Sequence, residues 1–198
     1  VSTKAFIAMY SLLLLTAYSI IKKENQGIEL LLKASENLSH ILGNTESIKK
    51  TSEKLKKHEH VFIIGRGLSY VAALEASLKL KETAYIHAEG FAGGELKHGV
   101  IALIEKGTPC IVIAPNDQTF DEIISNAEQL KSRGAYIIGI GPRNHKVFDV
   151  FHETGDLAEA TFIPQVVIAQ LLAYYTALAK GLEDPDKPRN LAKSVTVK

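Results

Sequence analysis

The sequence predicts an α/β fold: a five-stranded parallel sheet flanked by helices, behind a helical amino-terminal segment. Three observations lead there. Before residue 60 apolar residues recur at the three- and four-residue spacing of helices, and from residue 60 onward short apolar runs alternate with amphipathic stretches. The composition, 46% hydrophobic and 23% charged with 14 glycines and 6 prolines, is that of a chain able to bury a core.

The first element is the uncharged run 5–21, bounded by Lys4 and by Lys22 and Lys23. A membrane span needs about 20 apolar residues. This run is shorter and carries Tyr10, Ser11, Thr16, Tyr18 and Ser19, without a small-residue cleavage site, so it is expected to be a buried helix. A second helix follows on Ile28, Leu31, Leu38, Ile41 and Leu42, and Gly43-Asn44 stops it. Thr45 opens a third, polar one. These make residues 1–57 a helical linker segment and 58–198 the α/β unit.

Strands are expected at 61–64, 84–87, 110–114, 136–140 and 160–163, and helices at 69–82, 94–104, 120–132 and 165–182. The polar, proline-bearing stretch 183–188 ends the last helix and leads into a tail without a regular element of its own.

Charge excludes some functions. Lys plus Arg (23) nearly balance Asp plus Glu (22), which leaves no electrostatic footprint for nucleic acid or an anionic membrane. Cys110 lies mid-run among apolar residues with no second cysteine to pair with, which fits a reducing, cytoplasmic compartment.

In open α/β sheets ligands bind beyond the carboxyl ends of the strands. Gly65-Arg-Gly67-Leu-Ser69 sits there, opening a helix, and reads as a tight strand-to-helix turn. It is not a dinucleotide fingerprint, because Tyr70 replaces the third glycine. On the next helix Glu75, Lys79 and Glu82 share one face. By periodicity alone that is a solvated Glu-Lys stripe, but Glu82 at the helix end borders a glycine-rich loop holding His87, Glu89, Glu95, Lys97 and His98. Those histidines lack metal-ligand spacing, so no metal is expected, and proton transfer suits them better. His145 and His152 fall in polar segments and are expected in solvent.

Residue strings carry the reading further. KLKE at 79–82, YIHAE at 85–89, GELKHG at 94–99, PRNLAKSVTV at 188–197 and VSTKAF at 1–6 resemble, in order, motifs of the glucosamine-6-phosphate synthase family, glutamine:fructose-6-phosphate aminotransferases. The resemblance implies the second SIS (sugar isomerase) subdomain of the isomerase domain, an SIS-type five-stranded parallel sheet. The family makes glucosamine 6-phosphate from fructose 6-phosphate and glutamine-derived ammonia, without metal or organic cofactor.

By motif position the resemblance implies that Glu82 moves the proton between C1 and C2, with Lys79 helping at the C1 hydroxyl. His98 is the histidine assisting ring opening from across a homodimer interface. Lys193 meets the open-chain carbonyl, as a Schiff base or a charge stabiliser, and Ala192 offers backbone contacts. Of the phosphate-holding serine and threonine loops only the edge is present, at Ser2 and Thr3. A glutaminase domain and first SIS subdomain are missing, so the fragment alone is expected to be inactive. A non-catalytic sugar-phosphate-binding or dimerisation module, or another SIS-type isomerase, are the alternatives.

Overall fold

In the computed structural model residues 1–190 are described. The α/β architecture is as expected: one sheet of five parallel strands, with the second strand in sequence at one edge, followed by the first, third, fourth and fifth. Three helices come first: α1 (Thr3–Ile20), α2 (Glu24–Gly43) and α3 (Glu46–Leu55). The sheet unit runs β1 (His60–Gly65), α4 (Leu68–Ala84), β2 (His87–Ala92), β3 (Pro109–Ile113), α5 (Phe120–Lys131), β4 (Tyr136–Gly141), β5 (Val150–Glu153) and α6 (Phe162–Ala179).

The near-continuous apolar runs of the inner strands follow from burial on both faces. Along β1 and β3, Val61, Ile63, Ile111 and Ile113 point to the layer of α3, α4 and α6. Phe62, Ile64, Cys110 and Val112 point to the layer of α5. Ile41, Ile48 and Leu55 of the amino-terminal helices share the first of these cores, so α2 and α3 pack as part of the same body as the sheet.

Several elements differ from expectation, each for a local reason. The second strand lies at 87–92 rather than 84–87: α4 runs on to Ala84, and Tyr85, in the left-handed region at φ 53°, turns the chain out of it. The expected helix 94–104 is two short 3-10 turns, Gly93–Lys97 and Val100–Leu103, parted by Gly99 at φ 129°. The fifth strand is 150–153, whereas 160–163 belongs to a 3-10 turn running into α6. Its four-residue length and central histidine hide it from an apolar pattern.

His152 is correspondingly buried, not in solvent, and shares a 3.1 Å hydrogen bond with Thr51 Oγ1. α1 is helical but largely uncovered. Leu14 and Tyr18 are buried, while Met9, Leu12, Leu13 and Ile20 are exposed. By length and composition alone it is also apolar enough to cross a membrane.

Candidate active site

α4 brings the chemistry together. Its Glu75, Lys79 and Glu82 lie one turn apart on one face, and that face is covered rather than solvated. Lys79 is only 3% exposed. Its Nζ donates to Glu82 Oε2 at 2.6 Å and stands 3.6 Å from Glu75 Oε1. Glu75 is also buried, and burial raises its carboxyl above the usual range, with the Lys79 ammonium pulling the other way. Oε1 of Glu75 has no hydrogen-bond partner. Glu82 is the outer member, with its side chain partly exposed. A single buried ammonium thus ties a buried carboxylate to one at the surface.

Glu82 opens onto a cavity of about 450 Å³ whose walls include Lys81, Tyr85, His87, Arg189 and Asn190. Tyr85 closes α4 and holds the carboxy-terminal segment there: the Arg189 backbone N–H donates to Tyr85 Oη at 2.9 Å. The same ring lies under the Arg189 guanidinium. His87 is one of the loop histidines read as suited to proton transfer, whereas Tyr85 and Arg189 are not singled out by sequence as site residues. Their signal was adjacency to the KLKE and PRN strings, and only the fold shows that these strings meet.

The cavity lies at the amino-terminal edge of the sheet, because α4 runs back antiparallel to β1. Glu82 therefore does not lie beyond the strands' carboxyl ends, where ligands are expected from the sequence, whereas the 65–69 turn and His98 do. The same return of α4 separates two predicted site residues. Glu82 precedes β2, whereas His98 follows it and the first 3-10 turn. At about 3.3 Å per residue the six-residue strand alone spans about 20 Å. His98 is exposed at that far edge, its Nδ1 2.7 Å from Glu95 Oε2. Ser2, exposed just ahead of α1, does not line the Glu82 cavity either. Lys193 and Ala192 lie outside the described residues, three and two positions beyond Asn190 at the cavity wall.

Elsewhere, burial pushes the Cys110 thiol up to about 12, which leaves it inert as a nucleophile. His60 and His87, paired across β1 and β2, place their Nδ1 atoms 3.0 Å apart. No group of three His, Cys, Asp or Glu among the described residues is placed to hold a metal ion.

This parallel sheet, with a carboxylate-lysine stripe on the helix after its first strand, is an SIS fold, and residues 54–146 match the family model described as SIS domain. The sequence is 48% identical over 170 residues to the glutamine–fructose-6-phosphate aminotransferase (isomerizing) of Thermococcus kodakarensis, covering 84% of this chain and 28% of that one. To the same enzyme of Caldanaerobacter subterraneus subsp. tengcongensis it is 41% identical over 209 residues, covering 99% of this chain and 34% of the relative. Among solved structures, the C-terminal domain of glucosamine-fructose-6-phosphate aminotransferase from Francisella tularensis superposes with a TM-score of 0.69 at 32% identity, covering 81% of this chain and 45% of that one. Glucosamine-6-phosphate deaminase from Thermotoga maritima gives 0.74 at 25% identity, covering 96% and 56%. The chain belongs to the glutamine–fructose-6-phosphate aminotransferase family, as the counterpart of its C-terminal SIS region. It spans about a third of the length of these curated relatives.

Proposed function

We propose that this chain is the proton-handling part of an isomerase domain that makes glucosamine 6-phosphate from fructose 6-phosphate and ammonia. The observation that carries the reading is the Lys79–Glu82 pair, 2.6 Å apart at the wall of a cavity that the carboxy-terminal segment enters at Asn190. Ammonia condenses at C2 of the open-chain sugar with loss of water. The proton at C1 is then taken by the Glu82 carboxylate and returned at C2, while the imine nitrogen gains a proton and the C1 hydroxyl loses one, which leaves an aldehyde at C1 and an amine at C2. One carboxylate between two adjacent carbons serves as base and then as acid. Lys79, fixed by two carboxylates, presents its remaining hydrogen-bonding capacity to the C1 hydroxyl. Lys193, three residues beyond Asn190, reaches the carbonyl, and Ala192 supplies backbone contacts.

His98, on the opposite sheet edge from Glu82, acts in the site of a second copy, so the working unit is a homodimer. Its exposure and its separation from Glu82 support that reading. Ser2 keeps the edge of the segment that holds the sugar's phosphate, and the remainder belongs to a first SIS subdomain. The reaction is placed in the cytoplasm. Glucosamine 6-phosphate formation from fructose 6-phosphate and ammonia, measured with and without an added first subdomain, tests the assignment. Turnover is expected only with it and is expected to vanish in Glu82→Gln; equal turnover by Glu82→Gln overturns the proton-transfer role.

A further inference from the structure

The strand order β2-β1-β3-β4-β5 reverses direction between β1 and β3, and in open α/β sheets a crevice opens at such a point beyond the strands' carboxyl ends. Here that crevice is a cavity of about 510 Å³ between the loops after β1, β3 and β5, at the sheet edge opposite Glu82. Gly65 makes the turn below it: a Cβ at this position would come 2.1 Å from the Ser69 carbonyl oxygen, so the α4 amino terminus sits directly on the strand end.

Gln165, on the first turn of α6, distinguishes the cavity from a mere gap. It lines the wall and is 1% exposed. Its Oε1 accepts a hydrogen bond from the buried Ser69 Oγ at 3.1 Å, and its Nε2 donates to nothing. Turning the amide over exchanges which end meets Ser69 and still leaves the other end alone. Buried polar groups are almost always paired, and an orphaned one costs about 1–3 kcal/mol. In a cavity wall such a group is a donor left over for a ligand seated there. The amino termini of α4 and α5 border the same space, but the N–H groups of Ser69, Tyr70 and Phe120 are already taken by the carbonyls of Arg66, Gly67 and Asp117.

Two helix amino termini beside one cavity would by themselves suggest an anion. The rest of the lining argues otherwise, since it includes no lysine, arginine or histidine and has three carboxylates. Asp117 Oδ1 accepts from the Thr119 backbone N–H at 2.7 Å, Asp156 Oδ2 from Asn116 at 2.7 Å, and Glu159 Oε2 from Tyr18 at 2.8 Å. Each keeps a second oxygen as an acceptor. A dianion is repelled there, whereas a ring bearing hydroxyls and an ammonium finds acceptors for its donors and a donor, Gln165, for one oxygen.

We infer that this cavity binds an unphosphorylated hexosamine at a site separate from Glu82. The inference stands on this geometry and not on the proposed reaction. The test is a titration of the isotopically labelled full chain with glucosamine, followed by NMR at the Ser69 amide and the Gln165 side-chain amide. Saturable shifts with a Kd on the order of 1 mM are expected, with glucose weaker and inorganic phosphate without effect. Gln165→Leu is expected to weaken binding about tenfold with Tm little changed, because it removes one orphaned polar group and leaves the buried Ser69 hydroxyl without its acceptor. If that variant does not fold, Ser69→Ala reads the same contact and is expected to weaken binding severalfold. No saturable shift, tighter binding of phosphate than of glucosamine, or undiminished affinity in the folded variant overturns the inference.

Discussion

The backbone amide of Arg189 donates to the hydroxyl of Tyr85 at 2.9 Å while the Arg189 guanidinium lies 4.2 Å from the centre of the same ring. The residue that terminates α4 thereby also anchors the segment entering the Glu82 cavity. Tyr85→Phe keeps the ring and its cation contact but removes the acceptor, a change worth about 1 kcal/mol. Glucosamine 6-phosphate formation, assayed with the first subdomain supplied, is therefore expected to fall about fivefold, with Tm nearly unchanged. Wild-type turnover by Tyr85→Phe would dissociate this anchor from the reaction.

Lys79 holds its position by electrostatics that a stability measurement can read without any assay of activity. Removing one partner of a buried ion pair leaves an uncompensated charge and costs about 3–5 kcal/mol. Lys79→Met is expected to lower stability toward that range, since it strips the cation from beside Glu75, itself buried. Adding Glu75→Leu should recover much of the loss, because Glu75 then no longer needs a partner. Urea unfolding of the two single variants and the double variant gives the coupling energy. Additive losses would mean that the 3.6 Å approach carries no interaction.

These residues show how far a sequence can be read. β1, β3 and β4 are legible because burial on both faces leaves an unbroken apolar run. β5 is not, because it is an edge strand of four residues with His152 in it. The helix 68–84 and the shared face of Glu75, Lys79 and Glu82 follow from periodicity, whereas the burial of that face does not: polar residues at i, i+4 and i+7 read as solvated until α6 is seen to pack beside them. Likewise α1 is legible as a helix, but hydrophobicity alone carries no record of what covers it. The position of Glu82 at the amino-terminal edge of the sheet, away from His98, depends on the antiparallel return of α4, which no local pattern states.

That separation makes a complementation experiment decisive for the shared site. A Glu82→Gln chain retains its own His98, and a His98→Ala chain retains its own Glu82. If each site takes Glu82 from one copy and His98 from the other, a mixed dimer carries one intact site and one doubly damaged site. Mixing the two inactive variants, with the first subdomain supplied, is then expected to restore up to about a quarter of wild-type turnover, since random pairing makes half the dimers mixed. Absence of any rescue, or a monomer in sedimentation equilibrium, would remove His98 from the partner's site.

His152 gives the protein a pH dependence of its own. It is buried on β5, shares a hydrogen bond with Thr51, and faces a cavity that His40 and Glu153 also line. Burial pushes its pKa down from 6.5 to about 4. The unfolded chain takes up a proton near pH 6.5 that the native chain refuses until about pH 4, so the unfolded state binds more protons in between. Stability is therefore fully present above pH 6.5, falls as pH drops through that window and levels off below it. At about 1.4 kcal/mol per unit the loss is about 3 kcal/mol. His152→Asn, which stays polar toward Thr51 without titrating, is expected to flatten this part of the profile. Urea midpoints across the window, wild type minus variant, cancel the carboxylates common to both; a difference that does not change with pH would show that His152 is protonated as readily in the native chain as in the unfolded one.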